Sequence, residues 1–344
     1  MKSLIITLCL TVSLALGSFG VGWSGDHLQK GFEALNKGDY ATALKEFTPF
    51  AEKGDVHAQY NLGIMYSYGD GVPIDYKKAF NFFLAAAEQG YVPAQHNVGY
   101  MYYNGTGVSK DNNYAARWYA LAANQGYISS QYNLGIMYLS GEGVAQDYEE
   151  AIKWMTAAAK QDYVIAKLDL GEIYLSGAGV TQDYKKAFNW FEAAAKQGHP
   201  HAHYKLGVIY RNGYGIPKND KTAIKWYTLS AEQGHAEAQY NLGFMYYHGL
   251  GVSKDYSVTS KLYKLAAEQG LAIAQTNLGN LYFMGHGFEK NIIDAYMWVA
   301  IGISSGHKEG VIAADIIVKY MTPSQVEEAQ RLARECVKNN YKGC

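Results

Sequence analysis

Charge is scarce in this chain and balanced where it occurs. Only 18% of the 344 residues are charged, and 30 Lys and Arg against 31 Asp and Glu leave a formal net charge of −1. No basic field of the kind that attracts nucleic acid or anionic lipid can arise from that balance. Proline is equally sparse, at 6 residues, so it is not what punctuates the chain. Cysteine numbers 3, which rules out a disulfide in every structural unit. Beyond the first twenty or so residues no apolar run is long enough to cross a membrane as a helix. What the chain has in excess is 37 Gly and 31 Tyr, as if each were used once or more per recurring unit.

The amino terminus reads separately. Lys2 precedes the apolar run Leu4 to Leu16, and small residues follow at Gly17, Ser18 and Gly20. That is the layout of a secretory signal peptide, assigned to residues 1–22 with cleavage between Gly17 and Gly25; an uncleaved anchor is the alternative. Cys9 lies inside the run without the small residues a lipoprotein site needs before it. The expectation is an exported protein, periplasmic or secreted, whose mature form has no membrane span. In an oxidising compartment the remaining thiols, Cys336 and Cys344 in CVKNNYKGC, are expected to form a disulfide. Closing a nine-residue ring of this kind stabilises by about 2–3 kcal/mol in the loop-entropy picture. Zinc would need two further ligands, and none lies nearby in sequence.

The stretch NLGIMYSYGDGV at residues 61–72 resembles a phosphate-binding loop until its neighbours are counted. Gly63 recurs as Gly99, Gly135, Gly171, Gly207, Gly243 and Gly279, always 36 residues apart. Tyr66 and the pair Gly69 and Gly71 recur on the same period without insertion, the last pair being Gly285 and Gly287. A phosphate loop also needs a Lys and a Ser or Thr after its last glycine, and Val72-Pro73-Ile74 supplies neither. Seven copies on a fixed period are architecture.

Each unit holds two helical patterns. Ala58, Leu62, Met65 and Tyr66 fall at spacings of three and four, one apolar helix face. Gly63 sits inside that helix at a cost of about 1 kcal/mol relative to alanine, which points to close approach of a neighbouring helix. The Gly-x-Gly pair ends the helix. A second helix starts at Asp75, an N-cap carboxylate at the positive end of the helix dipole. Its apolar stripe reads Ala151, Trp154, Ala158 in one unit and Ala187, Trp190, Ala194 in the next. It closes at Gln89-Gly90, a column of glycines that Asp162 alone breaks. Such helix pairs cannot bury their apolar faces alone and must stack on one another.

The unit A-x-A-Q-Y-N-L-G-x-M-Y-x-x-G-x-G-V-x-x-D-Y-x-x-A-x-x-W-x-x-x-A-A-x-Q-G resembles the Sel-one-like repeat, a relative of the tetratricopeptide repeat, over residues 55–306. Residues 26–54, with GFEALNKGDYATALKEF, resemble a plain tetratricopeptide repeat: Gly31 to Tyr40 is nine residues where Gly63 to Tyr76 is thirteen. The resemblance implies an all-α fold, a right-handed α–α solenoid of about eight helix pairs. Residues 307–344 stop repeating. One more helix is expected there through Tyr320, then a capping box with Pro at the first helical position in Thr322-Pro323-Ser324-Gln325. A polar capping helix follows to about Lys338.

Candidate chemistry is thin. His199, His201 and His203 in HPHAH could hold a metal on a strand. On a helix, His201 points away from the other two, so the register favours a solvated helix start over a metal site. Asp75, Asp147, Asp183 and Asp255 fall in the cap column, which makes them caps rather than catalysts. Trp118, Trp154, Trp190, Trp226 and Trp298 share one column and are expected to be stacked core. Asn104-Gly105-Thr106 is a formal glycosylation sequon in the repeat loop. No nucleophile, base and orienter come together, so the chain is expected to be non-catalytic and without cofactor.

Columns that stay fixed between units do packing that every unit needs; columns that vary are free to meet a partner. Column 64 reads Ile64, Tyr100, Ile136, Glu172, Val208, Phe244, Asn280. Column 61 reads Asn61, Asn97, Asn133, Asp169, Lys205, Asn241, Asn277, and an asparagine amide can donate to and accept from a peptide backbone at once. These residues are the candidate groove for an extended protein or peptide; the alternative is that the Asn ladder bonds neighbouring helices. In the related tetratricopeptide family the first helices line the concave partner-binding groove, and Sel-one-like proteins are associated with protein–protein interaction, which the resemblance carries here. Two other functions stay open: a protein that binds or hydrolyses cell-wall peptidoglycan, and a secreted effector that engages a host protein.

Overall fold

The computed structural model describes residues 24–344; the signal-peptide assignment at residues 1–22, and Cys9 within it, lie outside the described residues. Among those described there are eighteen α-helices, one 3-10 turn and no strand. The opening pair is α1 (Ser24–Asn36) and α2 (Tyr40–Glu52). Seven repeats follow as α3 (Val56–Tyr68) and α4 (Tyr76–Glu88), α5 (Val92–Asn104) and α6 (Asn112–Asn124), α7 (Ile128–Ser140) and α8 (Tyr148–Lys160), then α9 (Val164–Ser176) and α10 (Tyr184–Ala195). The last three are α11 (Pro200–Asn212) and α12 (Asp220–Glu232), α13 (Ala236–His248) and α14 (Tyr256–Ala267), α15 (Ala272–Met284) and α16 (Ile292–Ser304). The chain ends in α17 (Gly310–Ile317) and α18 (Pro323–Lys338). None of these helices is long and apolar enough to cross a membrane.

Local chemistry explains the boundaries. The Asp75 carboxylate accepts from the Lys78 N–H at 3.0 Å, and Asp111, Asp147, Asp183 and Asp255 cap their helices in the same way. Gly69 closes α3 in the left-handed region at φ 78°, its N–H on the Met65 carbonyl. Where Asp162 breaks the glycine column it adopts the same left-handed backbone, at φ 65°.

The mid-helix glycine has a specific cause: a Cβ on Gly63 would lie 2.6 Å from the Phe83 ring, and one on Gly207 would lie 2.5 Å from the Tyr227 ring. The helix that approaches is the partner within the same repeat, and the group that needs the space is its large central ring. The second loop glycine sets the spacing between repeats. A Cβ on Gly107 would run into the Tyr76 carbonyl at the start of the preceding repeat's second helix. The two glycine columns therefore fix two different contacts, one inside a repeat and one between repeats.

Two compact units divide after Ala166. In the first, α1 to α8 pack consecutively. Its core gathers around Phe47, Leu62 and Met65, around Phe83 and Val98, and around Tyr119 and Leu134. In the second, α10 to α16 pack consecutively, with cores around Tyr227 and Met245 and around Tyr263, Leu278 and Trp298. Helix α18 packs on α16 and opens with the expected capping box, Thr322 and Gln325 bonding reciprocally. Its far end carries the Cys336–Cys344 disulfide. The tail is tied down there: Tyr341 packs over Gly270, and Lys264 Nζ donates to the Cys344 carbonyl at 3.4 Å.

The tryptophan column departs from expectation. Trp118, Trp154, Trp190 and Trp226 are half-buried at the edge of the core, and only Trp298 is fully enclosed, at 1% exposure. The reason is α18, which packs on α16 and brings Ala329 and Cys336 into the same core cluster as Trp298.

Candidate binding face

The first helices are held in register by a ladder of buried amides. Gln59 Nε2 donates to the Ala51 carbonyl at the end of the preceding second helix, at 3.2 Å, and Gln59 Oε1 accepts from Gln89 at 2.8 Å. Gln95 with Gln125, Gln131 with Gln161 and Gln239 with Gln269 repeat the arrangement. Both ends of each buried amide are therefore satisfied, as a polar group in an apolar contact must be.

His203 takes the Gln position in this ladder. Its Nε2 meets the Ala195 carbonyl at 3.2 Å and its Nδ1 meets Gln233 Nε2 at 3.2 Å. A carbonyl can only accept, so Nε2 carries the proton and Nδ1 accepts from the amide. His203 is buried at 6% exposure, which corrects the expectation that HPHAH is a solvated helix start. His199 stands at the N-cap of α11 without a side-chain cap bond, and burial lowers its pKa. Among the described residues no group of three or more His, Cys, Asp or Glu is placed to hold a metal.

The Asn column meets its surroundings in several ways. Asn61 Nδ2 donates back to the His57 carbonyl of its own helix at 2.8 Å. Asn277 Nδ2 donates to the Tyr240 hydroxyl of the preceding repeat at 3.0 Å, and Asn97 stands beside the Tyr60 hydroxyl in the same register. Asn241 Oδ1 accepts from Arg211 Nη1 at 3.3 Å. Asn133 is buried at 6% exposure beside the buried Tyr119 hydroxyl. Asn133 thus lies beneath the surface, whereas Asn61, Asn97, Asp169, Lys205, Asn241 and Asn277 are half-exposed. The neighbouring column is half-exposed throughout at Ile64, Tyr100, Ile136, Glu172 and Phe244.

In the second unit this face carries a chain of charged and titratable groups. Lys205 Nζ lies 2.7 Å from Glu172 Oε1, and His201 Nε2 lies 3.2 Å from the same oxygen. His201 Nδ1 is 3.3 Å from His235 Nε2, and His235 Nδ1 is 3.3 Å from Glu237 Oε2. Burial alone would raise the Glu172 pKa; the hydrogen bonds from His201 and Lys205 outweigh it and hold the carboxyl below its ordinary range. Burial lowers the His235 pKa against the opposing pull of Glu237. The contact between the two imidazoles needs one ring to donate and the other to accept, so it persists only while at least one of them is neutral.

Seven consecutive matches to the Sel1 repeat cover residues 56–91, 92–127, 128–163, 164–199, 200–235, 236–271 and 272–307. The chain belongs to the Sel1 repeat family. A Sel1 repeat protein from Oxalobacter formigenes is 31% identical, over 71% of this chain and 96% of its own, with a TM-score of 0.60. A protective antigen of uropathogenic Escherichia coli strains, displaying an SLR fold, is 27% identical over 93% of this chain and 94% of its own, with a TM-score of 0.44. A comparison with curated proteins gave no significant match. As a Sel1 repeat protein the chain is an α solenoid, the architecture typical of protein-interaction scaffolds.

Two features of this Sel1 chain escape a reading of single columns. The amide ladder joins residues 30 apart, and its signal is that Gln59 and Gln89 both recur on the 36-residue period. The link from Glu172 to Lys205 joins different repeats and different columns, so neither column alone signals it.

Proposed function

We propose that the chain is an exported, non-catalytic scaffold that binds a protein or peptide along the face of its first helices. One observation carries the reading: side chains that vary between repeats are half-exposed on the first helices, Tyr100 in the first unit and Glu172, Lys205 and Phe244 in the second, while recurrent positions such as Ala58, Leu62, Gly63 and Met65 are buried. A surface that changes chemistry from repeat to repeat over a constant core presents an ordered, non-repeating pattern, which suits recognition of an extended chain.

The test is affinity capture from periplasmic extract with the purified protein, alongside a Tyr100→Ala/Phe244→Ala variant whose helicity is unchanged. A partner held by the native protein and lost by the variant supports the reading. A partner held equally by both places binding elsewhere, and turnover of peptidoglycan fragments by the protein would overturn the non-enzyme assignment.

A further inference from the structure

We propose that the first-helix face between α11 and α13 receives a carboxylate of the partner, and that Arg211 is the residue that holds it. The inference rests on the partner-binding reading of that face and adds its chemistry. The column of Arg211 reads Ser67, Tyr103, Leu139, Leu175, Arg211, Tyr247, Phe283, so a cation enters it once. The Arg211 guanidinium carbon lies 4.6 Å from the centre of the Phe244 ring, and Nη1 donates to Asn241 Oδ1 at 3.3 Å. Phe244 and Asn241 belong to the two columns that define the face. The residue is half-buried, and among the described residues it makes no ion pair.

Lys205, six residues earlier on the same helix, is matched by Glu172 at 2.7 Å. The groups that face Arg211 directly are neutral, the Tyr227 phenol, the Asn241 amide and the Phe244 ring, while the carboxylates of Glu172, Glu237 and Asp220 act on Tyr204 and Tyr227 without pairing to the guanidinium. A guanidinium drawn partly out of water among neutral groups keeps an unspent attraction for an anion. Stacking and the amide bond also fix its plane, so less side-chain entropy is lost when a carboxylate binds in the bidentate manner that guanidinium favours.

The flanks narrow the occupant. Glu172 lies towards one side of the face and Glu237 beside His235. A run of acidic residues would meet both, whereas one acidic side chain between neutral neighbours would meet only the arginine. The occupant is therefore a protein segment with an isolated Asp or Glu.

The chain has four arginines, Arg117, Arg211, Arg331 and Arg334, so a nitrogen-15 spectrum of arginine Nε–H groups is simple and contains its own controls. The probe is an end-blocked Gly-Glu-Gly peptide, with Gly-Gln-Gly as its neutral counterpart. The expected result is a saturable shift of the Arg211 signal with the glutamate peptide alone and none at Arg331, which Glu328 and Glu335 already engage. Arg211→Lys should weaken binding, followed by the backbone amides of α13, by roughly fivefold or more, and Arg211→Gln should abolish it. An Arg211 shift that fails to saturate, or that the glutamine peptide reproduces, overturns the inference. If Arg211→Gln does not fold, Arg211→Lys with unchanged affinity does the same. A partner captured equally by native protein and Arg211→Lys, yet lost by Tyr100→Ala/Phe244→Ala, would sink the arginine and leave the scaffold reading standing.

Discussion

His96 is a half-buried histidine packed among aromatic rings between repeats, and acid should find it. It stands on α5 in the column that holds Tyr60, Tyr132, Tyr204 and Tyr240 in other repeats. Its ring lies 5.4 Å from that of Tyr119 and 4.9 Å from that of Tyr127, and Nδ1 meets Ser130 Oγ at 2.9 Å. Burial holds its pKa down to about 4 from an ordinary 6.5. Above pH 6.5 the ring is neutral folded or unfolded and the group contributes nothing. As pH falls from 6.5 towards 4 the unfolded chain takes a proton that the folded chain refuses, so stability is lost across that window. A gap of about 2.5 pH units at about 1.36 kcal/mol per unit makes the full loss about 3 kcal/mol, of which about 2.5 kcal/mol has gone by pH 4.5. The comparison is His96→Tyr/Ser130→Ala, which restores the Tyr and Ala of the other repeats and cancels every other titrating group. Hydrogen exchange of the α5 and α7 amides at pH 7.5 and 4.5 reads the local free energy, the right measure for an array whose parts open separately. The native protein should lose about 2 kcal/mol more than the variant over that interval. A difference below about 0.5 kcal/mol would mean that the ring is protonated in place, and the burial argument would be refuted.

Gly207→Ala should destabilise by up to about 2 kcal/mol, since a Cβ 2.5 Å from the Tyr227 ring costs about 1–3 kcal/mol in overpacking against about 1 kcal/mol of helix propensity gained. A raised melting temperature in that variant would show that the ring is not what the glycine serves. Ser305→Gln should stabilise by about 0.5–1.5 kcal/mol, because Ser305 stands where the ladder needs a glutamine and Gln275 Oε1 is buried without a donor. An unchanged or lowered melting temperature in that variant would count against the ladder.

What the sequence disclosed is what short-range chemistry controls. Asp75 as a cap, Gly69 as a left-handed terminus and Thr322 with Gln325 as a capping box involve residues within a few positions of one another. The period then fixed which helices pair. It did not reveal that the columns inside a repeat unit would meet unequal neighbours. Trp298 shares its column with Trp226 but not its burial, because α18 packs on α16. Asn133 shares its column with Asn97 but not its exposure. Register predicts the same direction for a side chain in each repeat, while burial depends on what the next element carries.

Departures from a column are most informative when read with the positions they touch. His96 departs together with Ser130, each supplying what the other's hydrogen bond needs. His203 departs alone, yet one imidazole reproduces the donor and acceptor of the amide it replaces. Ser305 departs alone and leaves Gln275 Oε1 without a donor, a defect that nothing outside the protein can reach. Arg211 also departs alone and leaves a charge unmatched, but its position is on the half-exposed face. Of these four, it is the one whose missing counterpart can arrive from another molecule. On the proposed scaffold reading, partner specificity is therefore to be sought where the pattern breaks at the surface and no internal residue answers the break, as at Arg211.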